Sequence, residues 1–176
     1  YKVLVTDSYE YNYPREDRIL SWDFTIENGE FSVGPATVLG NPTLYQVESI
    51  QADKYYQTLL VAEEMKEHHK VMALDLMTGE VIKEDLGNFD RGNDPEGIAL
   101  VVNKNNNGYW ICTEQSKTDN RFHLYDRKTL EYMTTMYLDN VSYTDGIATA
   151  YMHGKWFLYA VDNDARIVAF ELPEIN

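Results

Sequence analysis

The stretch Tyr109-Trp110-Ile111-Cys112-Thr113-Glu114 decides the fold, because variants of it recur along the chain. Each copy is a short run of apolar and aromatic residues that ends in a carboxylate, which is typical of a β-strand. The other copies are Val3-Leu4-Val5-Thr6-Asp7, Thr58-Leu59-Leu60-Val61-Ala62-Glu63 and Trp156-Phe157-Leu158-Tyr159-Ala160-Val161-Asp162. Their alignment gives intervals of 56, 50 and 48 residues between the equivalent positions Leu4, Leu60, Trp110 and Leu158. A period of this length indicates a repeated supersecondary unit.

Two further strand types share this period. One type follows each first strand, and its acidic member steps by 52, 51 and 45 residues; its copies are Ile19-Leu20-Ser21-Trp22-Asp23-Phe24, Val71-Met72-Ala73-Leu74-Asp75-Leu76, Phe122-His123-Leu124-Tyr125-Asp126-Arg127 and Ile167-Val168-Ala169-Phe170-Glu171-Leu172. The other type precedes three of the first strands, with acidic residues 48 and 49 apart; its copies are Val47-Glu48-Ser49-Ile50, Pro95-Glu96-Gly97-Ile98 and Thr144-Asp145-Gly146-Ile147. Turn pairs such as Asn28-Gly29 separate the strands.

A repeat near fifty residues with about four short strands predicts the blade of a β-propeller. We therefore predict an all-β propeller of four-stranded antiparallel blades, with an inner strand of the third type, then the first type, the second type and an outer strand. The predicted blades are residues 44–89, 90–140, most of a third at 141–176, and the later part of a preceding one at 1–43. Because propellers close with about 4 to 8 blades, we expect these three and a half to join further blades of a larger polypeptide or assembly.

The charge of the chain limits its partners. It carries 29 acidic and 15 basic side chains, for a net charge of −14, which argues against nucleic acid or an anionic membrane surface and favours cations. Solubility alone remains an alternative explanation of this charge. The sequence has no apolar run long enough to cross a membrane and no charged-then-apolar leader, so it reads as a soluble segment without membrane insertion. The single Cys112 excludes an internal disulfide and is predicted to be a buried thiol.

The third strand type predicts a metal site. Inner strands line the channel of a propeller, so Glu48, Glu96 and Asp145 should meet around one mouth. Gathered carboxylates repel one another unless a cation or basic group lies among them, and oxygen donors with little His or Cys favour calcium. Further oxygens could come from Asp94, Glu64, Gln115 and the turn Asp162-Asn163-Asp164. For any one of these acids, a turn or a local backbone partner remains the alternative.

At these residues the sequence resembles the β-propeller phytases, calcium-dependent phosphatases that release phosphate from myo-inositol hexakisphosphate. Asp94-Pro95-Glu96-Gly97-Ile98 is similar to the family's D-x-E-G-L, and Thr144-Asp145-Gly146-Ile147 is similar to its T-D-G-I. Residues 108–115 resemble G-Y-L-L-A-S-S-Q, residues 122–127 resemble Y-A-V-Y-D-R, and Glu48 with Ala62-Glu63-Glu64 resembles T-E-G followed by I-A-E-E. The resemblance covers about residues 1–176 and corresponds to the C-terminal half of a six-bladed domain.

The resemblance implies a cofactor, a reaction and a location. The calcium ligands it implies are Glu48, Glu64, Asp94, Glu96, Gln115, Asp145 and the carbonyl of Gly146. The reaction it implies is attack of calcium-activated water on a small phosphomonoester, with Glu64, Glu96 and Asp145 acting through the bound ions. The family also implies a secreted protein, extracellular or periplasmic. Calcium should in addition tie the blades together and stabilise the fold.

Two departures from the family keep other functions open. Asp7 and Ser8 stand where the family has a phosphate-binding Lys, and Ala148 stands where it has Asp. Other phosphate-gripping residues belong to the N-terminal half of the family's domain. The alternative function is therefore a non-catalytic, calcium-stabilised propeller that serves as a binding or structural module. An esterase or lactonase propeller with one channel metal has less support, since its Asn and Asp ligands have no clear counterpart here.

Some residues are predicted to have structural roles alone. The adjacent His68 and His69 lack the spacing of paired metal ligands, which predicts a solvated hairpin loop. Residues 62–70 have helix-forming composition but continue a strand-like run, so they are predicted as a strand followed by a charged loop. Asp126-Arg127 is interpreted as turn chemistry. The three tryptophans, Trp22, Trp110 and Trp156, are predicted to pack between blades.

Overall fold

A computed structural model describes residues 1–9, 13–40, 42–90 and 92–173, whose strands form four antiparallel sheets. The first sheet contains β1 (Lys2–Thr6), β2 (Ile19–Glu27), β3 (Glu30–Val33) and β4 (Thr37–Val38). The second contains β5 (Val47–Asp53), β6 (Thr58–Glu63), β7 (Lys70–Asp75) and β8 (Val81–Lys83). The third contains β9 (Asp94–Val102), β10 (Gly108–Gln115), β11 (Arg121–Asp126) and β12 (Tyr132–Tyr137). The fourth contains β13 (Ile147–Met152), β14 (Lys155–Asp162) and β15 (Arg166–Glu171).

The strand order is that predicted for propeller blades. The second and third sheets run β5-β6-β7-β8 and β9-β10-β11-β12 in simple sequence order, and the fourth runs β13-β14-β15. In the first sheet β1 corresponds to the second strand of the others, and both β3 and β4 pair with β2. Asn28 and Gly29 join β2 to β3 with φ of 53° and 83°, the positive values that a tight type I′ hairpin requires.

Helical structure is almost absent from the described part of the chain. It is limited there to one 3₁₀ turn at Lys104–Asn106. Residues 64–69 form an irregular loop between β6 and β7, which confirms the strand and charged loop predicted for this segment. No helix within the described ranges has the length and apolar character needed to cross a membrane.

The register between neighbouring strands corrects the alignment of the repeats. Asp23, Asp75, Asp126 and Glu171 pair with Lys2, Thr58, Tyr109 and Phe157, respectively. Because Thr58, Tyr109 and Phe157 are therefore equivalent, Leu60, two residues after Thr58, corresponds to Ile111 and Tyr159. The sequence alignment, which equated Leu60 with Trp110 and Leu158, was wrong by one residue. Residues 58–63 are buried throughout, so both faces of the strand are apolar and the alternation that would fix its phase is missing.

The corrected register shows an acid and a base facing each other in every sheet. A carboxylate lies at or next to the end of the second strand, and a basic residue begins or precedes the third. The pairs are Asp7 with Arg18, Glu63 with Lys70, Glu114 with Arg121 and Asp162 with Arg166. Three of these pairs have their charged atoms close together, at 3.2 Å for Arg18, 3.4 Å for Arg121 and 2.7 Å for Arg166. In the second, third and fourth sheets these pairs lie at the end where the inner strand begins.

Three apolar clusters fill the spaces between successive sheets. Leu59, Val61, Met72 and Leu74 face the first sheet, whereas Leu60, Ala62, Val71 and Ala73 face the third. Trp110 and Cys112 are fully buried in the cluster between the second and third sheets, as predicted for both residues. Burial raises the pKa of the Cys112 thiol, so this side chain is an inert core residue rather than a nucleophile.

A buried ion pair joins the second and third sheets. Arg127 donates from Nε to Asp53 Oδ2 at 2.6 Å and from Nη2 to Asp53 Oδ1 at 2.8 Å, and both residues are buried. The guanidinium also lies over the rings of Tyr55 and Tyr56, at 5.4 and 5.1 Å from their centroids. Asp126 forms the turn that was predicted, since its carboxylate accepts the amide N–H of Thr129. Arg127 has a different role and holds two blades together.

Candidate metal centre

The inner strands of three sheets lie side by side. β9 contacts β5 on one side and β13 on the other. The Ser49 hydroxyl donates to the backbone carbonyl of Glu96, and Thr149 Oγ1 donates to the Leu100 carbonyl at 2.8 Å. A Cβ on Gly97 would lie 2.8 Å from both the backbone nitrogen and Cγ1 of Ile147, so only glycine allows β13 to approach this closely. The starts of the three inner strands are thereby held at one place.

Buried carboxylates fix the loops that lead into these strands. Glu63 accepts the amide N–H groups of Tyr45 and Gln46, each at 2.7 Å, just ahead of β5. Asp162 accepts the amide of Ser142 at 2.9 Å, ahead of β13. In each case the acid at the end of the second strand anchors the segment that carries the next candidate ligand. These anchors are structural groups that the metal prediction did not include, apart from Asp162.

Glu114 is the corresponding anchor ahead of β9. It accepts Asn93 Nδ2 at 2.6 Å and the amide of Asp90 at 3.3 Å, and His123 Nε2 lies 2.7 Å away. Burial alone would raise the pKa of Glu114, but the hydrogen bonds from His123 and Asn93 outweigh it and hold the pKa below its ordinary value. Glu114 is therefore a charged structural acid, one residue before the candidate ligand Gln115.

The predicted inner-strand acids affect one another's ionisation. The pKa of Glu96 is raised to about 9, first by burial and then by the charges of Glu64, Glu48, Asp145 and Asp94, in that order of importance. Glu96 itself is 5% exposed. These charge effects indicate that carboxyl groups from three different sheets face a common region. The structure thus brings together the acids that the repeat placed in phase.

Glu64 lies among the same acids. Its pKa is raised to about 7, first by burial and then by the charge of Glu48 and a hydrogen bond with it. Glu64 therefore keeps its proton up to about neutral pH when no cation lies beside it. Gln46 Nε2 donates to Glu64 Oε2 at 2.5 Å and thereby orients this carboxyl group.

Asp145 has close polar neighbours on two sides. Burial raises its pKa first, followed by a hydrogen bond with Asp164 and the charge of that residue, while the Gln115 amide acts in the opposite direction by donating to Asp145 Oδ1. Of the predicted turn Asp162-Asn163-Asp164, it is therefore Asp164 that approaches the cluster. The Gly146 carbonyl accepts the amide of Val161 at 3.0 Å, so a cation would share this oxygen with the β13–β14 pairing.

The two adjacent histidines have different environments. His68 is exposed and stacks on Tyr45 with 4.1 Å between ring centroids, which fits the predicted solvated loop. The prediction is wrong for His69, whose side chain is only 9% exposed and whose Nε2 lies 3.1 Å from Asp94 Oδ1. The loop folds back over the start of β9, and no local sequence signal reports such a path.

The donor atoms of the cluster are of the type that a hard cation binds, but their side chains do not converge on a single point in this structure. The cluster offers carboxylate, amide and carbonyl oxygens, which are the ligands calcium takes. Within the described ranges, no group of three His, Cys, Asp or Glu side chains is arranged in metal-binding geometry. The carboxyl groups of Glu64 and Asp145 instead form proton-sharing contacts with neighbouring acids. Cation binding would exchange these protons for metal–oxygen bonds by side-chain rotation.

The departures from the phytase pattern have local structural explanations. Asp7 lies 3.2 Å from the guanidinium of the buried Arg18, so it belongs to the acid–base pairs described above. Ala148 lies in β13 opposite Tyr159 and brings no carboxylate to the cluster.

A family model described as Phytase matches residues 20–155 of the chain. No curated protein matches the sequence. Among solved structures, the Dos1 propeller is similar to this chain with a TM-score of 0.52 and 7% sequence identity. The match covers 86% of this chain and 40% of that chain. A thermostable family-43 glycoside hydrolase gives 0.52 at 12% identity, with coverage of 85% of this chain and 57% of that chain. A chain of a nidogen/laminin complex matches with a TM-score of 0.51 and 12% sequence identity, and the match covers 96% of this chain and 77% of that chain.

These likenesses concern the fold alone, because all three identities are low. Together with the sheet order, they confirm an all-β propeller fold. The chain spans 40% and 57% of the first two structures, so it matches only a part of each.

Proposed function

Because the chain belongs to the phytase family, we propose that it forms part of a calcium-dependent phosphomonoester hydrolase whose cations are held where the inner strands β5, β9 and β13 begin. The substrate we propose is myo-inositol hexakisphosphate or a related small phosphomonoester. The observation that carries the proposal is the buried Glu96, whose pKa is raised to about 9 first by burial and then by the charges of acids from three sheets. Such a cluster is stable at neutral pH only with protons or cations among its members.

The proposed ligands divide into charged and neutral oxygens. Glu48, Glu64, Asp94, Glu96 and Asp145 would supply carboxylates, and Gln115 and the Gly146 carbonyl would supply neutral oxygens. Bound calcium would neutralise the phosphate charge and activate the attacking water. Glu64, Glu96 and Asp145 would act catalytically by holding the ions against the substrate.

The surrounding residues of the chain would prepare this site. Gln46 orients Glu64, Gln115 orients Asp145, and the buried anchors Glu63 and Glu114 fix the loops behind them. Without cations, the negative cluster would repel a phosphate ester. The chain's own contribution is therefore to collect negative charge from three blades at one mouth and to keep it partly shielded from water.

The proposal also includes further blades. Val3 and Val5 on β1 are each 46% exposed and Ile167 on β15 is 70% exposed, so both outer faces of the sheet array present apolar side chains. We propose that residues 1–176 form one partial phytase-like domain and that the remaining blades of a six-bladed propeller cover these faces. We further propose a secreted protein, extracellular or periplasmic; the family membership supports this location.

The test is phosphate release from myo-inositol hexakisphosphate by the protein with and without calcium. We expect release with calcium, loss on chelation, and a decrease of at least tenfold in Asp145→Asn. Asp139→Asn, an exposed acid in the preceding loop, serves as the matched control and should leave the rate unchanged. Release that persists in excess chelator would contradict the proposed mechanism.

A second candidate is a non-catalytic propeller stabilised by calcium. Two observations favour it: Asp7 is paired with Arg18 where the family has a phosphate-binding Lys, and Ala148 brings no carboxylate. In that case calcium should raise the melting temperature without any phosphate release. The same two measurements therefore distinguish the two candidates.

A further inference from the structure

His69 adds a nitrogen donor to a cluster that otherwise offers oxygens. It is the last residue of the loop between β6 and β7, and its neighbour Asp94 begins β9 in the adjacent sheet. The imidazole Nε2 is shielded from solvent, and it makes no hydrogen bond to any described residue. Asp94 Oδ1 lies 3.1 Å away, but the contact lacks hydrogen-bond alignment. Leaving such a buried polar atom unsatisfied is unfavourable, and a bound partner would remove that cost.

The 3.1 Å separation is compatible with two neighbouring ligands of one ion. Nitrogen and carboxylate oxygen bind first-row divalent metals at about 2.0–2.2 Å, so two such ligands at a right angle lie about 3 Å apart. The acidic surroundings supply the remaining donors, since the charges of Asp94 and Glu48 both act on Glu64. One imidazole among carboxylates is a donor set that manganese, iron or zinc accepts, whereas calcium takes oxygens.

We propose that His69 Nε2 and Asp94 Oδ1 are adjacent ligands in one subsite of the cluster, and that this subsite takes a first-row divalent metal in preference to calcium. The proposal rests on the cation-binding cluster proposed above and adds a metal class to it. The competing arrangement is an imidazolium paired with Asp94, which would leave no nitrogen for a metal. The two arrangements differ in whether the His69 nitrogen contacts a bound ion.

The neighbouring histidine provides a matched control. His68 is exposed and stacked on Tyr45, so His68→Gln removes an imidazole one residue away without touching Asp94. The variants to compare are the wild type, His69→Gln and His68→Gln, each freed of metal by chelator and titrated separately with Mn²⁺ and Ca²⁺. Thermal melting of the metal-free proteins checks that both variants fold.

Electron spin echo spectroscopy of the Mn²⁺-loaded proteins detects a directly bound nitrogen. We expect nitrogen couplings in the wild type and in His68→Gln but not in His69→Gln. We also expect His69→Gln to weaken Mn²⁺ binding at least tenfold and to change Ca²⁺ binding less than twofold. Absence of nitrogen coupling in the wild type, or equal weakening of Mn²⁺ and Ca²⁺ binding in His69→Gln, would overturn this proposal without overturning the proposed calcium-dependent function. Failure of the wild type to bind either ion would overturn the proposed function as well.

Discussion

Replacing Glu96 with glutamine should stabilise the cation-free protein at neutral pH. Glu96 is 5% exposed, and burial together with the surrounding carboxylates raises its pKa from 4.5 to about 9. In the unfolded chain this carboxyl group titrates near its ordinary value. Between pH 4.5 and 9, folding therefore requires uptake of a proton. The stability that protonated Glu96 contributes is complete below pH 4.5 and is lost as the pH rises through 9.

The size of the effect follows from the shift. One unit of pH across this window corresponds to about 1.4 kcal/mol, so the wild type should lose about 3 kcal/mol of folding free energy between pH 5 and pH 7 through this group. Glutamine is neutral at every pH, so Glu96→Gln should not show that part of the loss. The difference in stability between the variant and the wild type should therefore grow by about 3 kcal/mol over the same range.

Urea denaturation in chelator at pH 5, 6, 7 and 8, followed by tryptophan fluorescence, measures this difference. Glu84→Gln is the control, because the Glu84 side chain is 73% exposed and lies outside the cluster. We expect the control to follow the wild type at every pH. If the profiles of Glu96→Gln and the wild type run parallel from pH 5 to pH 8, Glu96 does not take up a proton on folding and the proposed crowding of carboxylates is wrong.

Three further substitutions test the framework around the site. Arg127→Met leaves Asp53 buried without its partner and should lower the free energy of unfolding, measured by urea denaturation, by about 3–5 kcal/mol. Lys155→Met, in the exposed pair with Glu171, is the control and should lower it by less than about 1 kcal/mol. Equal losses in the two variants would refute the inter-blade role of Arg127. Gly97→Ala places a Cβ 2.8 Å from Ile147 and should lower the free energy of unfolding by about 1–3 kcal/mol and weaken calcium binding. In Gly146→Ala the nearest atom to the new Cβ is Val161 Cγ2 at 3.8 Å, so this control should change neither measurement. Glu63→Ala leaves the amides of Tyr45 and Gln46 without their acceptor and should cost about 1–3 kcal/mol for each; a melting temperature like that of the wild type would show that Glu63 is no anchor.

Most of the fold could be predicted from the sequence because turn residues and short apolar runs repeat with one period. The exact register could not, since β6 is buried on both faces and offers no alternation to count. A charge pattern would have fixed it: Arg18, Lys70, Arg121 and Arg166 step by 52, 51 and 45 residues, like the acids five positions later. Cross-strand pairing of these bases with Glu63 and its counterparts sets the phase that hydrophobicity leaves open.

The acids at the candidate site could be predicted because equivalent positions of a repeat return to one mouth. The roles of Arg127 and His69 could not, since each depends on a contact between different blades. Arg127 belongs to a turn motif in its own sheet, and its partner Asp53 lies 74 residues earlier. His69 follows an exposed histidine in a charged loop, and its burial results from the path of that loop over β9. No local sequence pattern predicts either contact.

Calorimetric titration with calcium at pH 7, in two buffers of different ionisation enthalpy, tests the proposed metal centre most directly, because it counts the protons that each bound ion displaces. The pKa of Glu96 is raised to about 9 and that of Glu64 to about 7, so at pH 7 without a cation Glu96 holds a proton and Glu64 is about half protonated. We expect calcium to bind with release of about one proton or more, and Glu96→Gln to reduce both the affinity and the proton release. Two results would contradict a cation site built from these carboxylates. One is absence of calcium binding; the other is calcium binding that releases no proton and has the same affinity in Glu96→Gln as in the wild type.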